Sequence, residues 1–338
     1  INIQAFSQNI QSPSEFLGYE IGTQFSRHSQ VIDYFDYVSN ELHENVIMEK
    51  YGETYERRPL YLTYISSNEN IKNIDIIRKN NLINAGVIDG VSSTLNKDIA
   101  IVWLSYNVHG NESSSTEASM KTLHLLLTEN SKLLENTIVI IDPCINPDGR
   151  DRYANWYNQT VTIPYNISSK SREHDEPWPG GRANHYLYDL NRDWAWVTQT
   201  ESKSRLKMYN KWLPHVHVDY HEQGIDNPYY FAPAVEPYHE IISKWQRDFQ
   251  KEIGKNNAKY FDQNGWLYFT KETFDLLYPS YGDTYPTYLG AIGMTYEKAG
   301  GGVAGLGILN SENKVLTLVD RVNNHTTTGI STVEISSI

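Results

Sequence analysis

His109 and Glu112 are separated by two residues in the turn His109-Gly110-Asn111-Glu112, so an imidazole and a carboxylate can reach one ion from the same short stretch. A third protein ligand from elsewhere, with water in the remaining position, would complete a catalytic zinc site. Alone, the pair is a weak signal. With 41 acidic residues in 338, eleven histidines yield about one His-x-x-acid match by chance, and His109 supplies the one match present. A surface or capping histidine near an unrelated Glu fits the same pattern. The third ligand has three candidates, because His215, His217 and His221 share one face of a strand by period two. His215 and His217 come earlier and are expected deeper in the sheet as hydrogen-bonded core histidines. His221 stands at the strand's end and is favoured.

The elements that must position these residues follow a repeated pattern. Apolar runs of strand length cover 99–106, 137–141, 215–220 and 291–296, with helical patterns at 116–127, 201–213 and 237–259. This alternation predicts an α/β fold of three layers, α/β/α, around a central mixed, largely parallel, twisted sheet. Upstream, the spacing predicts a helix over 29–42, strands over 46–51 and 60–65, and a helix over 71–83; a closing helix is expected over 316–333. Ser114-Ser115-Thr116-Glu117 reads as a capping box for the helix after the first run. Residues 153–184 have no period and are rich in Pro and Gly, as expected of a long functional or mobile segment. No repeat or linker divides the chain. It reads as a single catalytic domain, 1–338, with an N-terminal arm over 1–20, and the start at Ile1 suggests a piece cut from a longer chain. Each of the four runs ends in a polar cluster: His109 to Glu112, Asn146-Pro147-Asp148-Gly149, His221-Glu222-Gln223-Gly224, and Glu297-Lys298. Open α/β sheets build sites at the carboxyl ends of their strands, so four runs deliver chemistry to one edge.

These clusters, together with Asp189-Leu190-Asn191-Arg192 and Thr295-Tyr296-Glu297, occur in the order found in the M14 family of zinc carboxypeptidases, and the chain resembles that family over about 35–309. The resemblance implies a carboxypeptidase A-like fold and one zinc per chain, held by His109, Glu112 and His221. It implies that Glu297 is the general base for the attacking water, and that Asn191 and Arg192 bind the carboxylate of a peptide's C-terminus. It makes Asp189 the carboxylate that orients a zinc-binding histidine. Arg182 resembles the arginine that stabilises the oxyanion; Arg150 and Arg152, close after the Asn-Pro-Asp-Gly turn, are rivals. The tyrosine that closes over substrate has two candidates, Tyr278 and Tyr281. Glu222 departs from the digestive members, and its role is left open.

The formal charge of -12 and pI near 5.4 disfavour nucleic acid as a partner. No apolar run approaches the roughly 20 residues that span a bilayer. A single cysteine, Cys144, excludes an internal disulfide. The family's frequent export and the missing initiator Met suggest a secreted or periplasmic protein. Two other functions share the pattern: a related zinc amidohydrolase acting on cell-wall peptides or acylated amino acids, and a carboxypeptidase-like binding domain without catalysis.

Overall fold

The computed structural model describes residues 10–95 and 97–338. The chain enters through α1 (Pro13–Leu17), capped reciprocally by Ser12 and Glu15, so part of the expected arm is helical; residues 1–9 of that arm lie outside the described residues. In α2 (His28–Glu41), Val31, Phe35 and Val38 recur at helical spacing and are buried. Strands β1 (Val46–Glu53) and β2 (Pro59–Ile65) pair antiparallel. The single helix expected over 71–83 is instead two, α3 (Asn68–Lys72) and α4 (Ile74–Asn84). They break at Asn73, whose side-chain amide donates back to the Glu69 carbonyl, a local bond that competes with the helix.

The alternating part then runs β3 (Ala100–Tyr106), α5 (Ser114–Thr128), β4 (Thr137–Asp142), α6 (Pro147–Thr160), α7 (Thr200–Trp212) and β5 (Val216–Gln223). It continues with β6 (Tyr229–Tyr230), α8 (Lys244–Asn264), β7 (Tyr268–Phe269), α9 (Thr284–Tyr288), β8 (Ile292–Ala299), β9 (Gly307–Leu309), β10 (Val315–Thr317) and α10 (Leu318–Ser336). Three expectations change here. The segment thought irregular from 153 is helical as far as Thr160, because Asn146 caps α6 by accepting from Gly149 N and Pro147 fits its first turn. Helix α8 starts at the Ser243–Gln246 capping box rather than at 237. The expected capping box of α5 does not form: the cap position is Ser113, and Glu117 is held by Ser26 and Arg150 instead.

Among the described residues, eight strands form one sheet in the order β1-β2-β4-β3-β5-β8-β6-β7. Its centre, β4-β3-β5-β8, is parallel, and both edges are antiparallel or mixed. Helices cover both faces, so the central strands are apolar on both sides. Val102, Leu104, Val139, Ile141, Val216 and Val218 pack toward α2, α5, α8 and α10. Ile101, Trp103, Ile138 and Ile140 pack toward α4 and α7. No described helix is long and apolar enough to cross a membrane. From β3 the chain passes to β4 on one side and returns to β5 on the other. The strand order therefore reverses between β3 and β5, and that opens a crevice at their carboxyl ends.

Candidate active site

The turn after β3 is shaped by Asn107. Its φ is 61°, a left-handed conformation that Asn tolerates better than most residues. Its side-chain amide donates to the carbonyls of His109 at 3.0 Å and Glu112 at 3.3 Å. That brace turns both side chains toward the end of β5. His109 Nδ1 lies 2.8 Å from Glu112 Oε1 and 3.2 Å from His221 Nδ1, and His221 Nδ1 lies 3.0 Å from Glu112 Oε2. The three residues are buried, and each offers a ligand atom within 4.8 Å of the others. Two imidazole nitrogens and a carboxylate oxygen at such spacing are a donor set that zinc accepts with a position to spare. Burial alone would raise the Glu112 carboxyl, but the His109 and His221 imidazoles hold it well below the usual range. For His221, burial works downward, and Asp219 and Glu112 outweigh it and raise its pKa.

The other two histidines on that strand lie away from this cluster. His215 accepts from Ile101 N and meets Asn81 Oδ1 at 2.9 Å, at the opposite end of β5. His217 is not the hydrogen-bonded core histidine expected. Both its ring nitrogens lack partners among the described residues, it is surrounded by Trp103, Trp194 and Tyr209, and burial pushes its pKa down to about 3.

Asp189 meets His109 Nε2 at 2.9 Å through Oδ1, which also accepts from Asn191 N. Arg182 donates to Glu112 Oε1 at 2.8 Å and to Asp189 Oδ2 at 3.1 Å. Its rivals are engaged elsewhere: Arg150 is fully buried on Ser26 O, Ser113 O and Glu117, and Arg152 donates to the carbonyls of Gly180, Ala183 and Asn184. Arg182 owes its position to a junction of three glycines. At Gly110, Gly149 and Gly181 three backbones touch, and a Cβ on any one would run into another's main chain. This close approach presses the loop before Arg182 against the ends of β3 and β4.

The facing wall comes from β8 and the segment before α9. Glu297 pairs in register with His221 across β5 and β8. Burial pushes its pKa up to about 8; His221 and Arg182 pull it down and Glu112 pushes it up. His109, Glu112, Arg182, Asn191, Arg192, His221, Tyr281 and Glu297 line one cleft of about 380 Å³, together with Thr273, Asp275 and Asp283. The Arg192 guanidinium stacks on the Tyr281 ring at 4.4 Å. Tyr278 does not line the cleft; its hydroxyl accepts from Trp196 Nε1 at 3.0 Å. Glu222 is bound to Arg321 at 3.0 Å and to Ser114, so its carboxylate ties α10 to the start of α5. Sequence reasoning missed Asn107 and the buried carboxylate Asp219. The signal available for Asp219 was a charged residue in an otherwise apolar run.

A search of curated protein sequences gave no match. Among solved structures the fold is similar to a metallo-carboxypeptidase from Burkholderia cenocepacia, at 14% identity and TM-score 0.63, covering 93% of this chain and 69% of that one. It is similar also to carboxypeptidase A from Helicoverpa armigera, at 16% identity and TM-score 0.59, covering 97% and 76%. At such identities the likeness establishes a shared fold. A family model described as zinc carboxypeptidase, Peptidase_M14, matches residues 31–260, well over half of the chain. The span includes His109, Glu112, Asp189 and His221 and ends before Glu297, and on that match the chain belongs to the Peptidase_M14 family of zinc carboxypeptidases.

Proposed function

We propose that this metallocarboxypeptidase relative is an active hydrolase of C-terminal peptide bonds, with zinc held by His109, Glu112 and His221 and with Glu297 as general base. The register of β5 against β8 carries the reading, since it sets a buried carboxylate beside the donor triad, in the same cleft as two arginines and an asparagine. When bound, zinc polarises the scissile carbonyl and lowers the pKa of water to about 7.

The chain's own residues perform the remaining tasks. Arg192, flattened against Tyr281, offers a planar fork to the terminal carboxylate, and Asn191 adds an amide donor. Arg182, beside Glu112, donates to the oxygen on which charge develops. Glu297 accepts a proton from the attacking water and returns it to the leaving amine. Tyr281 closes over the terminal residue.

The test is Glu297→Gln. It should retain zinc and lose about 10²–10⁴-fold in kcat on peptides with free C-termini. C-terminally amidated peptides should react far more slowly than the acids with the unaltered protein. Equal turnover of amide and acid would remove Asn191 and Arg192 from this scheme. Zinc binding without Glu297-dependent hydrolysis over a broad peptide library would leave a binding domain instead.

A further inference from the structure

Both imidazoles of the donor triad turn Nδ1 inward, and each has a carboxylate behind its Nε2. Behind His109 that carboxylate is Asp189. Behind His221 it is Asp219, two residues earlier on the same face of β5, with Oδ2 at 3.3 Å from Nε2. Asp219 is fully buried; Oδ1 accepts from Ser105 Oγ, but Oδ2 makes no well-formed hydrogen bond among the described residues. A buried carboxylate oxygen in that condition needs a donor. His221 Nε2 has a second neighbour, Asn191 Nδ2, at 3.3 Å. The amide's orientation follows from Gly282 N, which donates to Asn191 Oδ1 at 2.8 Å. Asp219 thus needs a hydrogen on Nε2, whereas Asn191 needs a lone pair there. One ring nitrogen satisfies one of them.

We infer that Asp219 is a positioning residue that settles this competition, holding His221 with hydrogen on Nε2, lone pair on Nδ1, and the Asn191 amide left free for a substrate carboxylate. The inference rests on the zinc carboxypeptidase reading above. The tautomer that serves Asp219 is the one a metal at Nδ1 requires. Gly282 is the second support. A Cβ at that position would overlap the Asp219 carboxylate and approach Trp194 Nε1. The same residue therefore holds Asn191 through its N–H and leaves room for Asp219 through its missing side chain.

The test compares Asp219→Ala, Asp219→Asn and Gly282→Ala with the unaltered protein. Zinc affinity, measured by competition with a chromogenic chelator, should fall about 10–100-fold in all three. At saturating zinc, the orphaned Nε2–H of Asp219→Ala draws Asn191 Oδ1 away from Gly282, so KM for a free-acid peptide should rise about tenfold, the loss of one good polar contact. Asn191→Ala should then add little in the Asp219→Ala background, whereas additive losses would mean that the two act separately. If both Asp219 variants bind zinc within about threefold of the unaltered protein, well short of the change expected for an orienting partner, the inference is wrong. Should they fail to fold, Gly282→Ala, which leaves Asp219 in place, is read by the same two measurements and decides in the same way. If the unaltered protein itself binds no zinc or cleaves no peptide, the carboxypeptidase reading fails first, so the two failures are told apart.

Discussion

At the scale of single residues, Asp189 ties several of the cleft's side chains together. His109, Asn191 N and Arg182 bond to it, and Arg192 Nη1 lies 3.7 Å away. Burial would raise its carboxyl, yet the His109 contact and the two arginines hold it well below the usual range. Arg192 is the member of this group that faces the cleft with a stacked ring beneath it. Arg192→Lys should keep the charge but lose the fork and the stacking, raising KM for free-acid peptides about tenfold with kcat nearly unchanged; steady-state kinetics decide this. A second prediction concerns pH. Glu297 must be ionised to accept a proton, so kcat/KM rises as pH rises through its pKa. Arg182 favours the ionised form, and removing that cation raises the pKa. The acid limb of the pH–rate profile for Arg182→Met should therefore move to higher pH, on top of the overall loss of rate. His109 and Glu112 share one turn, a pattern that chance also supplies, and were legible in the sequence once the other strand-end clusters were set beside them. Asp219 was not, although His221 lies two residues along the same strand, since Ser105 and Gly282 are brought to it by strand register and a distant loop.

At the scale of elements, the parallel strands change character one layer below the cleft. Asp142 on β4, Ser105 on β3, Asp219 on β5 and Thr295 on β8 stand in register as one polar row across the sheet. The rows beneath it on the α7 side are mostly apolar. Alternation of apolar runs and helical spacing revealed the strands, and their lengths hid this row, because a single polar residue near the end of each run resembles a boundary. Asp142 is the costly member. Tyr51 donates to its Oδ2, Oδ1 has no partner among the described residues, and burial pushes its pKa up to about 7. In the folded chain the proton is held to about pH 7, whereas the unfolded chain releases it near about 4. The folded state therefore binds more protons between those values, and stability from this group falls as pH rises through that window. The ceiling on that loss is roughly 4 kcal/mol at about 1.4 kcal/mol per unit. Asp142→Asn should abolish it: urea unfolding at about pH 5 and about pH 8, on either side of the folded-state pKa, should show the variant gaining on the unaltered protein at the higher pH. A variant that tracks the unaltered protein at both values would place the strain elsewhere. The helix boundaries were less legible for a related reason. Glu117 has the spacing of a cap, but its partners Ser26 and Arg150 lie 91 and 33 residues away in sequence.

At the scale of the molecule, the donor triad joins the turn after β3 to the end of β5, the two sides of the crevice where strand order reverses. A metal held there would link the two halves of the sheet. Zinc at roughly a thousandfold excess over its dissociation constant should stabilise the fold by about 4 kcal/mol, and a strong chelator should remove that increment reversibly in thermal unfolding. An unchanged melting temperature would mean that the triad does not bind metal. The architecture itself was readable from apolar runs and helical patterns, and the sheet order was not, because pairing between distant strands leaves no local trace. Where Gly110, Gly149 and Gly181 meet, main chain packs directly on main chain, with the Asn146, Tyr153 and Glu176 side chains against its rim. Contacts between main chains cannot be relaxed by changing a rotamer, so the three loops shift together or stay put. The Arg182 wall thus behaves as a fixed jaw. Any accommodation to the size of a guest's last side chain falls to the opposing jaw, the stretch from Thr273 to Asp283 that carries Tyr281.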